Sequence, residues 1–593
     1  MFLVTTALEK YWNKEEEILF LGEWCKLYSR RKEWRKLNYK VLSYHWDDRI
    51  RLYNDFLYLD GLYEKCLEKL ALRLNEIHGV DNSLRYWRII LGPWLFYFIE
   101  IFYDRYLSIK CAEESGLITD TWITDCNADL YTPDNFEEFF SEWISDRYNH
   151  FLYSYLIKKV GKIPFTIRDN KISFERDKPK KTSERPTKLF LKRYLSHLFS
   201  FYRRFIPNFS KRFIFVASYL HLFDQLKLQL CLKQLPSMFL LLTPSIECQK
   251  DLNKREEIKF FVGQGDFELI LSDFLPYQIP KIYIEGYEDA LKQSERSFFK
   301  HTTIAKAIYT ANAAMSNDLF RFWAAEQVKR GAKLVLSQHG GHHGMGLWSA
   351  ELKHEISIAD KYFTWGWNME GYKNICPMPS GQLIKCKRSW NIKDDGEILW
   401  VLMSIPRYSY WMYSIPIGPQ ILYYFDEQRR FAEALTKEAR SLLLLRPMKA
   451  DFGWNDKERM KDMIPSIRFD NGEKTLINRL RDCRLCISTY NATTYLETFT
   501  ANFPTILLWN PKFWELRPEA VQYFDDLRRV GILHFSPESA ALKVNEIYKD
   551  PLSWWITPDV QSARERFCTH FAMIDKKWRK IWKKEFITIS YDN

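Results

Sequence analysis

The chain has 593 residues, too many for one hydrophobic core, and two large α/β units fit that length. Hydrophobic residues make up 46% of it and aromatic residues 17%, yet no run reaches the ~18 uninterrupted apolar residues of a bilayer crossing, which excludes a membrane-spanning chain. The formal charge of +12 is concentrated between Lys158 and Arg212, where 17 Lys or Arg stand against four acids, and this excludes a uniformly basic nucleic-acid-binding surface.

Residues 1–9 lack a basic leader and a long apolar run, so they read as a first strand rather than a signal peptide, and the expected location is cytoplasmic, peripheral at the inner face of the cell membrane. Runs at 2–6, 18–21 and 41–44 read as strands, followed by helical periodicity over 55–74 and buried helices over 83–109. Glu9, Glu23 and Asp47, the last with His45 nearby, follow those three strands, where parallel sheets place their ligands. Each is a candidate base for an acceptor hydroxyl and equally a candidate structural partner.

In the basic segment, Lys178-Pro-Lys-Lys181 reads as an exposed linker and 189–204 as a basic amphipathic helix, either a solvated face or a rest on anionic lipid. No nucleic-acid recognition motif accompanies it. Strands are then expected at 213–217, 238–242, 260–262 and 281–284, a helix-rich connection over 305–330, and a strand at 333–337 that ends in Gln338-His-Gly-Gly-His-His-Gly344. After a strand at 362–366, residues 374–395 carry Pro377, Pro379 and Gly381 and read as an interdomain linker. The pattern restarts with strands at 398–403, 441–445, 484–488 and 505–508, and 560–582 reads as helix. The expected fold class is α/β with two Rossmann-like domains: 1–375 with a helical insertion and the basic segment 158–212, and 396–559, with 560–593 packing back on the first.

Eleven scattered cysteines do not form a disulfide framework; Cys483 and Cys486 have zinc-knuckle spacing, but Cys376 and Cys386 are too far apart to complete four ligands. Three segments at strand ends carry the chemistry. In the 338–346 loop, His339 can donate to a phosphate or carboxylate while Gly340 and Gly341 let the backbone approach closely. Arg446, before Pro447, offers a planar fork for phosphate, as does Arg407 after an earlier strand. Ser488, Thr489, Asn491 and Thr493 lie where a helix begins and are expected to cap it and bind phosphate, with Glu497 placed to accept from ribose hydroxyls.

These residues resemble a known family, the transferases encoded in bacterial O-antigen and surface-polysaccharide gene clusters. The likeness runs close to full length, over Phe2-Leu-Val-Thr-Thr-Ala-Leu-Glu9, Phe20-Leu-Gly-Glu-Trp-Cys25, Tyr86-Trp-Arg-Ile-Ile-Leu-Gly-Pro-Trp94, Gln338-His-Gly-Gly341, 360–367 and Asn491-Ala-Thr-Thr through Asn510-Pro511. The pattern of Arg446-Pro447, Ser488-Thr489, Glu497 and Pro504 is also similar to that of polyol-phosphate and ulosonic-acid transferases of the GT-B class. The resemblance implies two facing Rossmann-like domains, a donor held by Arg446, Ser488, Thr489 and Glu497, a loop role for His339, and a lipid-linked or polysaccharide acceptor. It departs in lacking His-Pro where Arg446-Pro447 stands, which leaves the donor open between a CMP-linked ulosonic acid, the favoured one, a UDP- or GDP-hexose and a CDP-polyol. No Asp-x-Asp pair at a strand end calls for a metal, and no cofactor is expected. Two other functions stay open: a metal-dependent hydrolase using His339, His342, His343 and His354, and a noncatalytic polysaccharide-assembly protein.

Overall fold

The computed structural model describes residues 1–169, 198, 201–202, 205–300, 303–387, 393 and 395–591. Its strands form three all-parallel sheets. The first contains β1 (Phe2–Val4), β2 (Ile18–Phe20), β3 (Tyr39–Val41), β4 (Asp120–Thr124) and β5 (Thr166–Asp169) in the order β3-β2-β1-β4-β5. The second runs β10-β9-β8-β7-β6, from β6 (Phe213–Val216), β7 (Ala307–Thr310), β8 (Lys333–Ser337), β9 (Lys361–Thr364) and β10 (Ile375–Pro377). The third runs β13-β12-β11-β14-β15-β16, from β11 (Glu397–Val401), β12 (Leu443–Arg446), β13 (Arg468–Phe469), β14 (Cys483–Ser488), β15 (Thr505–Leu508) and β16 (Leu533–His534). That last order is the doubly wound Rossmann order, with its switch point between β11 and β14. All six residues of β14 are buried, as a central parallel strand covered on both faces requires.

Residues 1–377 therefore hold two sheets, a division that strand–helix alternation does not reveal. Of the strands expected there, 238–242 and 260–262 are irregular and Lys281–Tyr283 is a 3-10 helix. The apolar side chains are satisfied without a ladder; Phe239 packs on the rings of Phe298 and Phe299. Conversely β7 lies inside the stretch read as helix-rich, and β10 inside the expected linker, where its edge position tolerates Pro377.

The helices that position the site are α1 (Arg49–His78), α2 (Leu84–Glu114), α3 (Asp146–Val160), α4 (Leu222–Cys231), α5 (Ala350–Ile358), α6 (Ile421–Ala434), α7 (Thr493–Thr500) and α8 (Trp578–Ile589). Helix α2 is apolar nearly all round because α1, α3 and α5 pack about it, and it is buried along most of its length. No helix among the described residues is long and apolar enough to cross a membrane. The basic helix expected at 189–204 and the linker near 178–185 lie outside the described residues, apart from 198, 201 and 202.

The three charged residues in the middle of α2 explain how the units lock together. Glu100 accepts from the Met412 backbone N–H (2.9 Å), and Arg105, paired with Asp104, donates to the Ser409 carbonyl (2.7 Å). Both targets lie in the long buried loop after β11, whose backbone polar groups must find partners away from water. Farther along the same loop, Arg49 of α1 donates to the Ile415 carbonyl and Gln420 (both 3.0 Å) and clamps Glu515 with two bonds of 2.6 and 2.8 Å. Removing this largely buried fork strands Glu515 and two acceptors. Arg49→Ala is expected to cost about 3–5 kcal/mol, measured as a lowered midpoint in thermal or urea unfolding.

Candidate active site

The third sheet aligns its strand ends in one row. Val401 is in register with Arg446 on one side and Ser488 on the other, so those two α-carbons lie about 10 Å apart, two strand spacings. The loops that follow, with α7, lie at the switch point, where open α/β sheets bind ligands. Thr489 is fully buried there: its hydroxyl donates to the Val401 carbonyl (2.8 Å) and meets the Tyr424 hydroxyl at 2.6 Å. Ser488 is wholly buried beside it, with the Tyr490 carbonyl at 3.5 Å. These two hydroxyls are engaged by the protein itself.

The start of α7 corrects the capping expectation. Its N-cap is Ala492, and no side chain caps the helix. Asn491 accepts from the Tyr495 hydroxyl (2.8 Å) while its Nδ2 is buried without a partner, and Thr493 Oγ1 accepts from the Gly341 backbone N–H at 3.0 Å. The uncapped N–H end thus packs against the second sheet's glycine-rich loop. Half-buried Glu497 lies a turn farther on, its carboxyl pushed up by burial against the pull of Lys385 and Arg446. Arg446 donates to the Lys474 carbonyl (2.6 Å) and lies 3.4 Å from Asp470, while Tyr490 and Thr494 join hydroxyls at 2.5 Å.

In the loop after β8, two residues before Gly341, stands His339. Helix α5 begins at Ala350 under its Ser349 cap and sets Glu351 and Glu355 one turn apart on a single face. His339 Nε2 lies 3.2 Å from Glu351 and Nδ1 3.6 Å from Glu355. Burial opposes charge on the imidazole, but Glu355 and Glu351 outweigh it and raise His339 to about 9. Glu351 is correspondingly held well below the usual carboxylate range despite its burial, whereas burial and the Glu351 charge push Glu355 up. Tyr413, from the loop after β11, donates to Glu351 (2.5 Å); Tyr362 donates to Glu355 (2.9 Å) and meets His343 Nδ1 at 3.2 Å. His343 is buried and pushed down to about 3, so at neutral pH His339 is the charged imidazole of the pair. Ligand atoms of His339, His343 and Glu355 lie within 4.8 Å of one another. His342 instead faces the Ser414 carbonyl (3.2 Å), and His354 packs against Gly92 of α2, so neither joins that cluster.

Other candidates lie elsewhere. Glu9 is held by Arg30 and Lys14 (each 2.7 Å), which keep its carboxyl at about 2 although burial opposes them, too acidic for a base. Glu23 pairs with Lys26 (3.0 Å). Asp47 contacts Gln420 and Tyr423 at the start of α6, and burial raises its pKa. Arg407 is 6% exposed and committed to Asp146 (2.6 Å) and the Trp24 carbonyl, so it clasps the third sheet to the first instead of facing a ligand. At Gly340 an added Cβ would meet nothing nearer than 3.6 Å, and its carbonyl accepts from Gln338 (2.7 Å). Sequence reasoning missed Glu351, Glu355, Tyr362 and Tyr413. The one sequence signal for them was the Glu-x-x-x-Glu spacing immediately after the glycine-rich loop.

The chain is thus an α/β protein whose parallel sheets gather an uncapped helix start and a buried histidine–carboxylate cluster at their carboxyl ends. This chain belongs to the LIC12162 family of transferases, whose family model matches residues 1–586. Among solved structures it is similar to Acinetobacter baumannii MurG, with 9% identity and a TM-score of 0.30 over 51% of this chain and 78% of that one. It is also similar to the Thermobaculum terrenum O-GlcNAc transferase, with 10% identity and a TM-score of 0.30 over 90% of this chain and 99% of that one. No curated protein sequence matches the chain.

Proposed function

We propose that this transferase moves a sugar from a nucleotide-activated donor to a surface-polysaccharide or lipid-linked acceptor, on a GT-B-like frame in which the third sheet holds the donor. The observation that carries the reading is the 3.0 Å bond from the Gly341 N–H to Thr493, which brings the loop bearing cationic His339 against the uncapped start of α7. Departure of a nucleoside phosphate builds negative charge at that point, and a helix end with a fixed cation stabilises it without metal or cofactor. The donor residues are Arg446, Asn491, Thr493 and Glu497. A cation in addition to the helix end suits a donor with a carboxylate beside its phosphate, which favours the CMP-linked ulosonic acid. Of the three acids we assign Asp47 to the acceptor, because burial raises its pKa whereas Arg30 and Lys14 hold Glu9 low and Glu23 is paired with Lys26.

A panel of CMP, CDP, UDP and GDP in thermal unfolding tests the donor assignment. A nucleotide at a hundred times its Kd stabilises the native state by about 2.7 kcal/mol. One nucleotide should stand out, and Arg446→Ala and Thr493→Val should each reduce its shift by more than half. An unchanged shift in both variants removes the donor site. The proximity of His339, His343 and Glu355 favours a second reading, a metal-dependent hydrolase. Stoichiometric zinc in the purified protein, lost in His339→Ala and His343→Ala, would replace the transfer reading; no turnover of any donor would leave a noncatalytic assembly protein.

A further inference from the structure

Helix α8 lies on the second sheet, where Trp578, Trp582 and Phe586 join Phe213, Phe215 and Tyr309 in one buried cluster. Helix α4 covers the same face through Leu228 and touches α8; Arg579 reaches Asp224 at 2.8 Å. The two helices thus lie side by side on that sheet. On α4 the i, i+4, i+7 positions Phe223, Lys227 and Leu230 point the same way, and Phe223 and Leu230 are 64% and 58% exposed. On α8 the exposed row is Lys577, Lys580, Ile581, Lys584 and Ile587. Among the described residues none of these lysines has an ion-pair partner, whereas Arg579 on the same helix is paired with Asp224. Large apolar side chains left in water beside unpaired cations are the two ingredients of interfacial binding: rings and aliphatic chains enter the headgroup boundary, and ammonium groups meet lipid phosphates.

We propose that the α4–α8 face docks on an anionic bilayer. Charge decides the occupant, since a second copy of this chain would set the same lysines against each other across a two-fold contact. Taken with the proposed reading, the contact would hold the enzyme where a lipid-linked acceptor resides, but the surface stands on its own residues and uses none of the transfer site.

The test is co-sedimentation of the full chain with vesicles of phosphatidylcholine, alone and with 30 mol% phosphatidylglycerol, at low and high salt. Binding is expected only to the anionic vesicles, falling with salt. Lys577→Glu, Lys580→Glu and Lys584→Glu together should lower the partition coefficient about 100-fold or more, and Phe223→Ser with Leu230→Ser at least about 10-fold. Both variants should keep the wild-type unfolding midpoint and nucleotide shift, so failure here is separable from failure of the donor assignment. Equal binding of wild type and both variants would assign membrane attachment to the basic segment 158–212 instead and overturn the proposal. So would absence of anionic binding, or a loss of self-association in the Phe223/Leu230 variant with vesicle binding unchanged.

Discussion

Gly341→Ala is expected to lower transfer about 100-fold, whereas Gly340→Ala leaves it within a few-fold of wild type. A Cβ on Gly341 would stand 2.4 Å from the Ala492 carbonyl carbon, 2.5 Å from its oxygen and 2.5 Å from the Thr493 nitrogen. All three are backbone atoms at the start of α7, so no side chain can swing aside, and the loop must retreat by roughly an ångström, a displacement worth about 100-fold when it separates groups that act together. The retreat also breaks the 3.0 Å bond from Gly341 to Thr493 and carries His339 away from the helix end. At Gly340 the nearest atom to an added Cβ is an imidazole carbon at 3.6 Å, an ordinary contact. Single-turnover transfer measured beside the nucleotide thermal shift separates the effects: the shift should persist, weakened, while the chemical step is lost. Equal rates for the two variants would place the reacting centre elsewhere.

The sequence made the third sheet legible and the first sheet only in part, for a physical reason. Strands such as Cys483–Ser488 and Thr505–Leu508 are continuous apolar runs because both their faces are covered, so pattern alone finds them. Asp120–Thr124 is only partly buried and Thr166–Asp169 largely exposed, and neither shows such a run. At the site, the glycine-rich loop announced itself, since strand ends followed by close-approach residues are local features. What could not be read was pairing across the chain. Arg407 looked like a phosphate ligand until Asp146, 261 residues away, claimed its guanidinium. Thr489 looked like a cap until its hydroxyl turned to Val401 on the neighbouring strand. His339 announced itself, but the carboxylates that charge it come from α5, and the tyrosines that orient those carboxylates come from β9 and from the loop after β11.

That histidine carries the other large effect. His339→Gln keeps a side chain that can donate one hydrogen bond but removes the charge, and kcat should fall by about 100- to 1,000-fold, the usual loss when a group stabilising a leaving anion is removed. The nucleotide shift should survive, because Arg446 and Thr493 are untouched. The pH dependence of stability distinguishes this role from a merely packed imidazole. With its folded pKa raised to about 9 from an ordinary 6.5, His339 binds its proton more tightly in the native state. It therefore contributes stability fully below about pH 6.5, and that contribution is lost as pH rises through about 9. Glu355, also raised, works in the same direction, while lowered Glu351 contributes above its unfolded pKa and loses its effect only as pH falls through the acid range. The wild-type unfolding temperature should thus decline from pH 6.5 to 10 more steeply than that of His339→Gln, the two curves converging at the alkaline end. Activity should fall over the same interval as the cation is titrated. Parallel curves for the two proteins, with unchanged kcat, would show a neutral histidine and remove the charge from which the stabilisation of the leaving group is argued.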